Sequence, residues 1–179
     1  DPNDHTVERR ADVVNALADE LESETYGYLG FSMGGRTGLE LAASTPERLS
    51  MLAIGGMHLL PATANADRFI RHTKILRSGR AKSVEKPDGD RPGNDPLALA
   101  ASHEALLWWK GAEGRLDSLN APTLLFCGEE DAHFPNAEES ALRYGFEFAG
   151  LPNTDHDSTF FSSELAVSSV VNFVSKHLK

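Results

Sequence analysis

Two rhythms of apolar and polar positions alternate along this chain. Between Thr6 and Leu21, Val7, Ala11, Val14, Leu17, Ala18 and Leu21 recur at helical spacing, and the Thr6 hydroxyl is placed to cap the first turn. The pattern predicts an amphipathic helix there. Tyr26 to Phe31 is a short run of β-favouring residues that ends in Gly30-Phe31-Ser32-Met33-Gly34. Helical spacing then resumes with Leu39, Leu41, Ala42 and Ala43 until Thr45-Pro46 stops it. Leu49 to Ile54, closed by Gly55-Gly56, predicts a second strand, Pro122 to Cys127 a third and Tyr144 to Leu151 a weaker fourth. Ser163 to Leu178, carrying Leu165, Val167, Val170, Val171, Phe173, Val174 and Leu178 at helical spacing, predicts a closing helix. Strands that alternate with helices imply an α/β fold with a parallel sheet of about four strands covered on both faces.

The rhythm changes between the second and third strands, over a stretch too long to be a bare connection. We expect a helical lid or cap insertion over residues 58–119, set into a core formed by 1–57 and 120–179. Ala66 to Leu76 and Leu97 to Lys110 carry helical patterns, and Ser78 to Pro96, rich in Gly, Pro, Asp and Lys, reads as an exposed loop. From Asp67 to Arg91 eight basic residues (Arg68, Arg71, Lys74, Arg77, Arg80, Lys82, Lys86, Arg91) outnumber four acids. A solvated helix face followed by a loop accounts for this, and so does an electrostatic guide for anionic substrates.

Composition narrows the function classes. With 179 residues, 40% of them apolar, the chain can bury one substantial core. Lys and Arg total 17 against 27 Asp and Glu, and a net charge of -10 opposes a phosphate backbone, so nucleic acid is not an expected partner. The single cysteine, Cys127, cannot form an intramolecular disulfide; within a buried strand it reads as an inert core thiol. No apolar run approaches the ~18 residues of a membrane span, and we expect a soluble, cytoplasmic protein. The chain opens on Asp1-Pro2-Asn3 without an initiator Met, so an upstream segment is expected to have been removed.

Gly30 to Gly34 fits the pattern G-x-S-x-G, which places a serine on a strained turn between strand and helix, where small neighbours (Gly30, Gly34, Gly35) let the backbone bend. Ser32 is therefore the candidate nucleophile. The Met33 N–H, at the positive end of the helix that follows, is placed to donate to an oxyanion. A serine hydroxyl needs a base to take its proton. Among seven histidines, His156 sits in the loop Leu151 to Asp157 immediately before the closing helix, where it can curl back over the serine. The imidazole in turn needs a carboxylate to fix its tautomer, and Asp131, in Gly128 to Pro135 just past the third strand, is the candidate; Glu129 and Glu130 read as solvated turn acids. Trp108 and Trp109, on the helix leading out of the insertion, are candidate substrate-binding residues, with packing as the alternative. No group of residues has metal-ligand spacing, since the adjacent Asp155-His156-Asp157 cannot readily converge on one ion. No metal and no cofactor is expected.

Gly30 to Gly35 (GFSMGG), Thr45 to Leu49, Pro122 to Pro135 (PTLLFCGEEDAHFP) and Leu151 to His156 together resemble the α/β-hydrolase family, in the branch of small carboxylesterases, haloperoxidase-like perhydrolases and enol-lactone hydrolases. The order Ser32, Asp131, His156 is the order that fold uses. The resemblance implies a serine hydrolase that cleaves a small carboxylic ester or thioester through an acyl-enzyme. It leaves open lactone or carbon–carbon bond hydrolysis and perhydrolysis by the same residues. A non-catalytic truncated fold, serving as an assembly or binding module, is the reading from another class. The segment that precedes the serine strand in such proteins and supplies a second oxyanion donor has no counterpart here, so weak activity is expected. The same departure would leave Tyr26 to Phe31, which carries no charge and no proline, as a sheet edge, and a homo-oligomer, most simply a two-fold dimer, is expected to cover it.

Overall fold

The computed structural model describes residues 1–62, 66–79 and 95–178. In chain order its elements are α1 (Val7–Glu20), β1 (Tyr26–Phe31), α2 (Met33–Ser44), β2 (Leu49–Gly55), α3 (Ala66–Arg77), α4 (Pro96–Leu106), β3 (Thr123–Gly128), α5 (Phe134–Tyr144), β4 (Glu147–Leu151), α6 (His156–Phe161) and α7 (Glu164–His177). The four strands form one parallel sheet in the order β1-β2-β3-β4. The predicted β1 coincides with the observed one, β2 runs one residue further than predicted, and β3 is shifted by one residue at both ends.

The chain divides into two compact units. One comprises Asp1–Arg10 with Pro61–Lys110, the other Ala11–Leu60 with Gly111–Lys179. The expected insertion at 58–119 overlaps the first unit, which also takes in the first ten residues of the chain and stops at Lys110. Within this unit α3 and α4 pair, and Arg77 bridges them by donating to both carboxylate oxygens of Glu104 at 2.8 Å. Arg10 donates to the His5 carbonyl at 2.7 Å and to Ser102 Oγ at 2.6 Å. Most of the expected loop from Ser78 to Pro96, with Arg80, Lys82, Lys86 and Arg91, lies outside the described residues.

The second unit holds the sheet, and its core follows from strand alternation. Ala53, Leu124, Phe126 and Leu151 point to the face where Ala166 and Phe173 of α7 pack. Their neighbours Leu52, Ile54, Leu125 and Cys127 are fully buried on the opposite face, where Gly38 of α2 lies so close to Ile54 that an added Cβ would fall 2.6 Å from Ile54 Cδ1. All six residues of β3 are buried, as expected for a central parallel strand covered on both sides.

Two expectations need correction. The stretch Phe134 to Tyr144, not anticipated as an element, is a helix with Pro135 in its first turn, where a missing N–H costs nothing. It ends at Gly145, which adopts the left-handed conformation (φ 68°), so β4 begins at Glu147 rather than Tyr144. Helix α4 ends at Leu106, which places Trp108 and Trp109 beyond it rather than on it.

Candidate active site

The sharp turn between β1 and α2 is built around Ser32, whose backbone (φ 52°, ψ -110°) lies where side-chain-bearing residues seldom sit. Two bonds hold it there. The Ser32 N–H donates to the Gly55 carbonyl at the end of β2 (2.9 Å), and the Tyr28 hydroxyl donates to the Gly34 carbonyl in the first turn of α2 (2.9 Å). Gly30 is obligatory for space: a Cβ there would stand 2.4 Å from the Gly34 carbonyl oxygen. Gly34 is not, because a Cβ there would meet nothing closer than the Tyr28 hydroxyl at 3.8 Å. Of the three positions expected to be small, Gly30 leaves no space for a side chain, Gly35 little, with a Cβ there 3.1 Å from Met57 Cβ, and Gly34 has room for one. Met33 opens α2 and is about half exposed.

Asp131 follows β3 in a tight turn closed by its N–H bond to the Gly128 carbonyl (3.0 Å). Its side chain is buried, and its two oxygens have separate tasks. Oδ1 accepts the His133 backbone N–H at 2.9 Å, and Oδ2 lies 2.6 Å from His156 Nδ1. Burial alone would push this carboxyl up, but the bonds from His156 and the His133 N–H, with the charges of both imidazoles, hold it below the ordinary carboxylate range.

His156 was expected in a loop. It is instead the first residue of the short helix α6, whose N-cap Asp155 accepts the Ser158 N–H at 2.8 Å while the Asp155 N–H donates to Ser158 Oγ at 2.8 Å. The segment before it is tied to the Asp131 turn by two backbone bonds, Glu129 N–H to the Leu151 carbonyl (3.0 Å) and Glu130 N–H to the Thr154 carbonyl (2.9 Å). Contact is so close that a Cβ at Gly128 would fall 2.2 Å from the Thr154 oxygen. The result is a continuous line of three side chains: His156 Nδ1 faces Asp131, and Nε2 lies 2.9 Å from Ser32 Oγ. With Asp131 ionised, the proton belongs on Nδ1, which leaves the Nε2 lone pair toward the serine hydroxyl.

Four rings line the imidazole or its neighbours. Phe31 lies 4.9 Å from His156 by ring centroids and is itself flanked by Phe160 at 5.1 Å. His133 meets His156 edge-on at 5.6 Å, and His58 meets His133 at 5.1 Å. His58 is buried; burial, reinforced by His133 and Arg36, pushes its imidazole down to about 4, so it is neutral at pH 7. None of these neighbours carries a sequence signal that ties it to His156; His133 was visible only as a residue near Asp131. Cys127, fully buried, has its thiol pushed far up by burial and by Asp131.

Of the residues singled out from the sequence, the structure brings Ser32, Asp131 and His156 into contact, with Met33 adjoining by chain. Glu129 and Glu130 are exposed. Trp108 and Trp109 belong to the other compact unit: Trp109 is 1% exposed, with almost no surface to offer a substrate, and Trp108 is 53% exposed. Among the described residues no helix is long and apolar enough to cross a membrane.

No family model matches the chain. A curated relative, RutD of Yersinia enterocolitica, whose proposed activity is carbamate hydrolysis, is 28% identical over an alignment covering 79% of this chain; the chain spans 59% of that relative's length. Similar solved structures include a thermophilic esterase from Thermogutta terrifontis (TM-score 0.81, 20% identity, 97% of this chain and 74% of that one). An enol-lactonase from Burkholderia xenovorans (0.77, 19%, 95% and 73%) and a hydrolase from Pseudomonas aeruginosa (0.77, 21%, 95% and 72%) superpose comparably. At these identities the likeness establishes the fold.

Proposed function

We propose, on the premise that this chain has the α/β-hydrolase fold, that it is a serine hydrolase acting on a small carboxylic ester or thioester through an acyl-enzyme. The observation that carries the reading is the hydrogen-bonded line from Asp131 through His156 to Ser32. Ser32 Oγ attacks the acyl carbon as His156 Nε2 takes the hydroxyl proton. Asp131 holds the ring in the required tautomer and stabilises the imidazolium that forms. The Met33 N–H, at the amino end of α2, donates to the oxyanion, an interaction of a kind typically worth ~100-fold to 1000-fold in rate. His156 then returns the proton to the leaving group, and water, activated by the same imidazole, releases the acid and restores Ser32.

The curated relative and the superposed enzymes extend the candidate substrates to lactones and carbamates, which present the same acyl carbon to the same nucleophile. A lactone differs in one respect, because its leaving alcohol stays attached to the acyl group. Profiling short p-nitrophenyl esters against small lactones and carbamates separates these classes.

The decisive test is labelling of the whole chain by a fluorophosphonate, followed by mass mapping of the adduct. We expect the label on Ser32, its loss in Ser32→Ala, and a fall of ~10³-fold or more in ester turnover in both Ser32→Ala and His156→Ala, with folding retained. Turnover undiminished in Ser32→Ala overturns the assignment.

A further inference from the structure

The Asp131 turn brings a second imidazole to the one that faces Ser32. A carboxylate oxygen of Asp131 and one ring nitrogen each from His133 and His156 all lie within 4.8 Å of one another. These three residues come from two segments, the turn after β3 and the start of α6, held together by the two backbone bonds described above. Two imidazoles and one carboxylate are a donor set suited to zinc, and three protein ligands leave the fourth tetrahedral position for water.

From this cluster we infer that Asp131, His133 and His156 form a zinc site that competes with the Ser32–His156 contact; the inhibitory consequence rests on the hydrolase reading, whereas the binding does not. Donors ~2.1 Å from a tetrahedral ion stand ~3.4 Å apart. The 2.6 Å separation of His156 Nδ1 and Asp131 Oδ2 must therefore open, and any separation within the cluster longer than that tetrahedral spacing, all of them within 4.8 Å, must close toward it. Both imidazoles are only partly buried, so side-chain rotation is available to them. The ion takes the place of the proton shared by His156 Nδ1 and Asp131 Oδ2, and that proton leaves to solvent. A metal-bound His156 has lost its orienting carboxylate bond, and the cation withdraws density from the ring, so Nε2 no longer accepts the Ser32 proton effectively. Zinc thus switches off the serine without touching it.

The test uses the full chain freed of metal with a chelator and titrated with zinc chloride against a chromogenic zinc indicator. We expect one equivalent bound by the wild type, an affinity at least tenfold weaker in His133→Ala and in His133→Gln, and an unchanged affinity in Ser32→Ala. Circular dichroism confirms that each variant is folded. In parallel, saturating zinc should suppress fluorophosphonate labelling of wild-type Ser32, while each His133 variant, compared with its own zinc-free level, resists suppression. Equal affinity in the wild type and both His133 variants overturns the site and directs attention to another pair, such as His72 and His103, whose rings lie 4.9 Å apart. Labelling undiminished by bound zinc overturns the competition with His156. Failure of the metal-free protein to label at Ser32 would instead count against the hydrolase reading, and the zinc titration would still decide the site.

Discussion

At the scale of single residues, the turn that carries Ser32 separates glycines that look alike in the sequence. Gly30 lies beneath the first turn of α2, and a methyl group there would overlap the Gly34 carbonyl, a backbone atom that cannot rotate aside. We expect Gly30→Ala to destabilise the chain by roughly 2 kcal/mol or more, the range of overpacked cores. Gly34 has room for a Cβ and a helical backbone with no positive φ, so Gly34→Ala should be neutral or stabilising by about 0.5 kcal/mol through lost unfolded-state freedom. Urea denaturation of the two variants checks the contrast; equal effects would mean that the turn relaxes more freely than its bonds suggest. The same scale explains why the sequence shows His133 only as a neighbour of Asp131. Its relation to His156 is a distance across the fold, and nothing at positions 131–133 announces it.

At the scale of elements, α2 must be held rigidly because its amino end positions both Ser32 and the Met33 amide. Part of that hold is Glu40, buried on α2, whose two carboxylate oxygens accept from Arg115 at 2.8 and 2.9 Å; Arg115 also donates to the Gly111 carbonyl. Removing the arginine leaves a desolvated carboxylate, which costs ~3–5 kcal/mol when the pair is wholly buried. Arg115 is 37% exposed, so solvent moderates the loss, and we expect Arg115→Ala to cost about 2 kcal/mol by chemical denaturation. Glu147, which accepts from Lys176 and His177 at the end of α7, is 42% exposed, and Glu147→Gln should cost under about 1 kcal/mol. A larger effect at Glu147 than at Arg115 would contradict the ranking by burial. Element boundaries also show what local sequence can and cannot carry. Asp155 and Ser158 form a capping pair at the start of α6, a helix of six residues too short to show a period of apolar positions, and α5 begins in a run of acids, histidine and proline that looks like loop until the helix is packed on β3 and β4.

At the scale of the whole molecule, β1 is an edge of the sheet among the described residues, and Leu29 on it is 59% exposed. Helix α1 and the turn after it show the same signature on a larger surface: Val7, Ala11 and Ala18 are buried, while Val13 and Leu17 on the helix and Leu21 just past it, spaced by four, are exposed. Contact surfaces carry exposed apolar rows of this kind. We propose that a second copy of this chain covers it in a two-fold dimer. Light scattering over a micromolar dilution series should report twice the chain mass, and Leu29→Lys should shift the population to monomer. A monomer throughout the series refutes the dimer, and a dimer indifferent to Leu29→Lys moves the contact away from β1.

What the sequence determined by itself was the set of local events. The period of apolar positions gave most strands and helices, and the glycines and serine from Gly30 to Gly35 gave the turn between two of them, because each of these signals is complete within a few residues; three such local motifs, in the order Ser32, Asp131, His156, made these residues the candidates for one site. The tertiary structure alone decided which groups meet. Ser32 and His156 are 124 positions apart, and they touch because the end of β2 holds the serine turn while the backbone bonds of Glu129 and Glu130 seat α6 against the Asp131 turn. The meeting of His133, His156 and Asp131, and the burial that leaves His58 neutral, follow from that same docking. They depend on interatomic distances across the fold, which no spacing along the chain encodes.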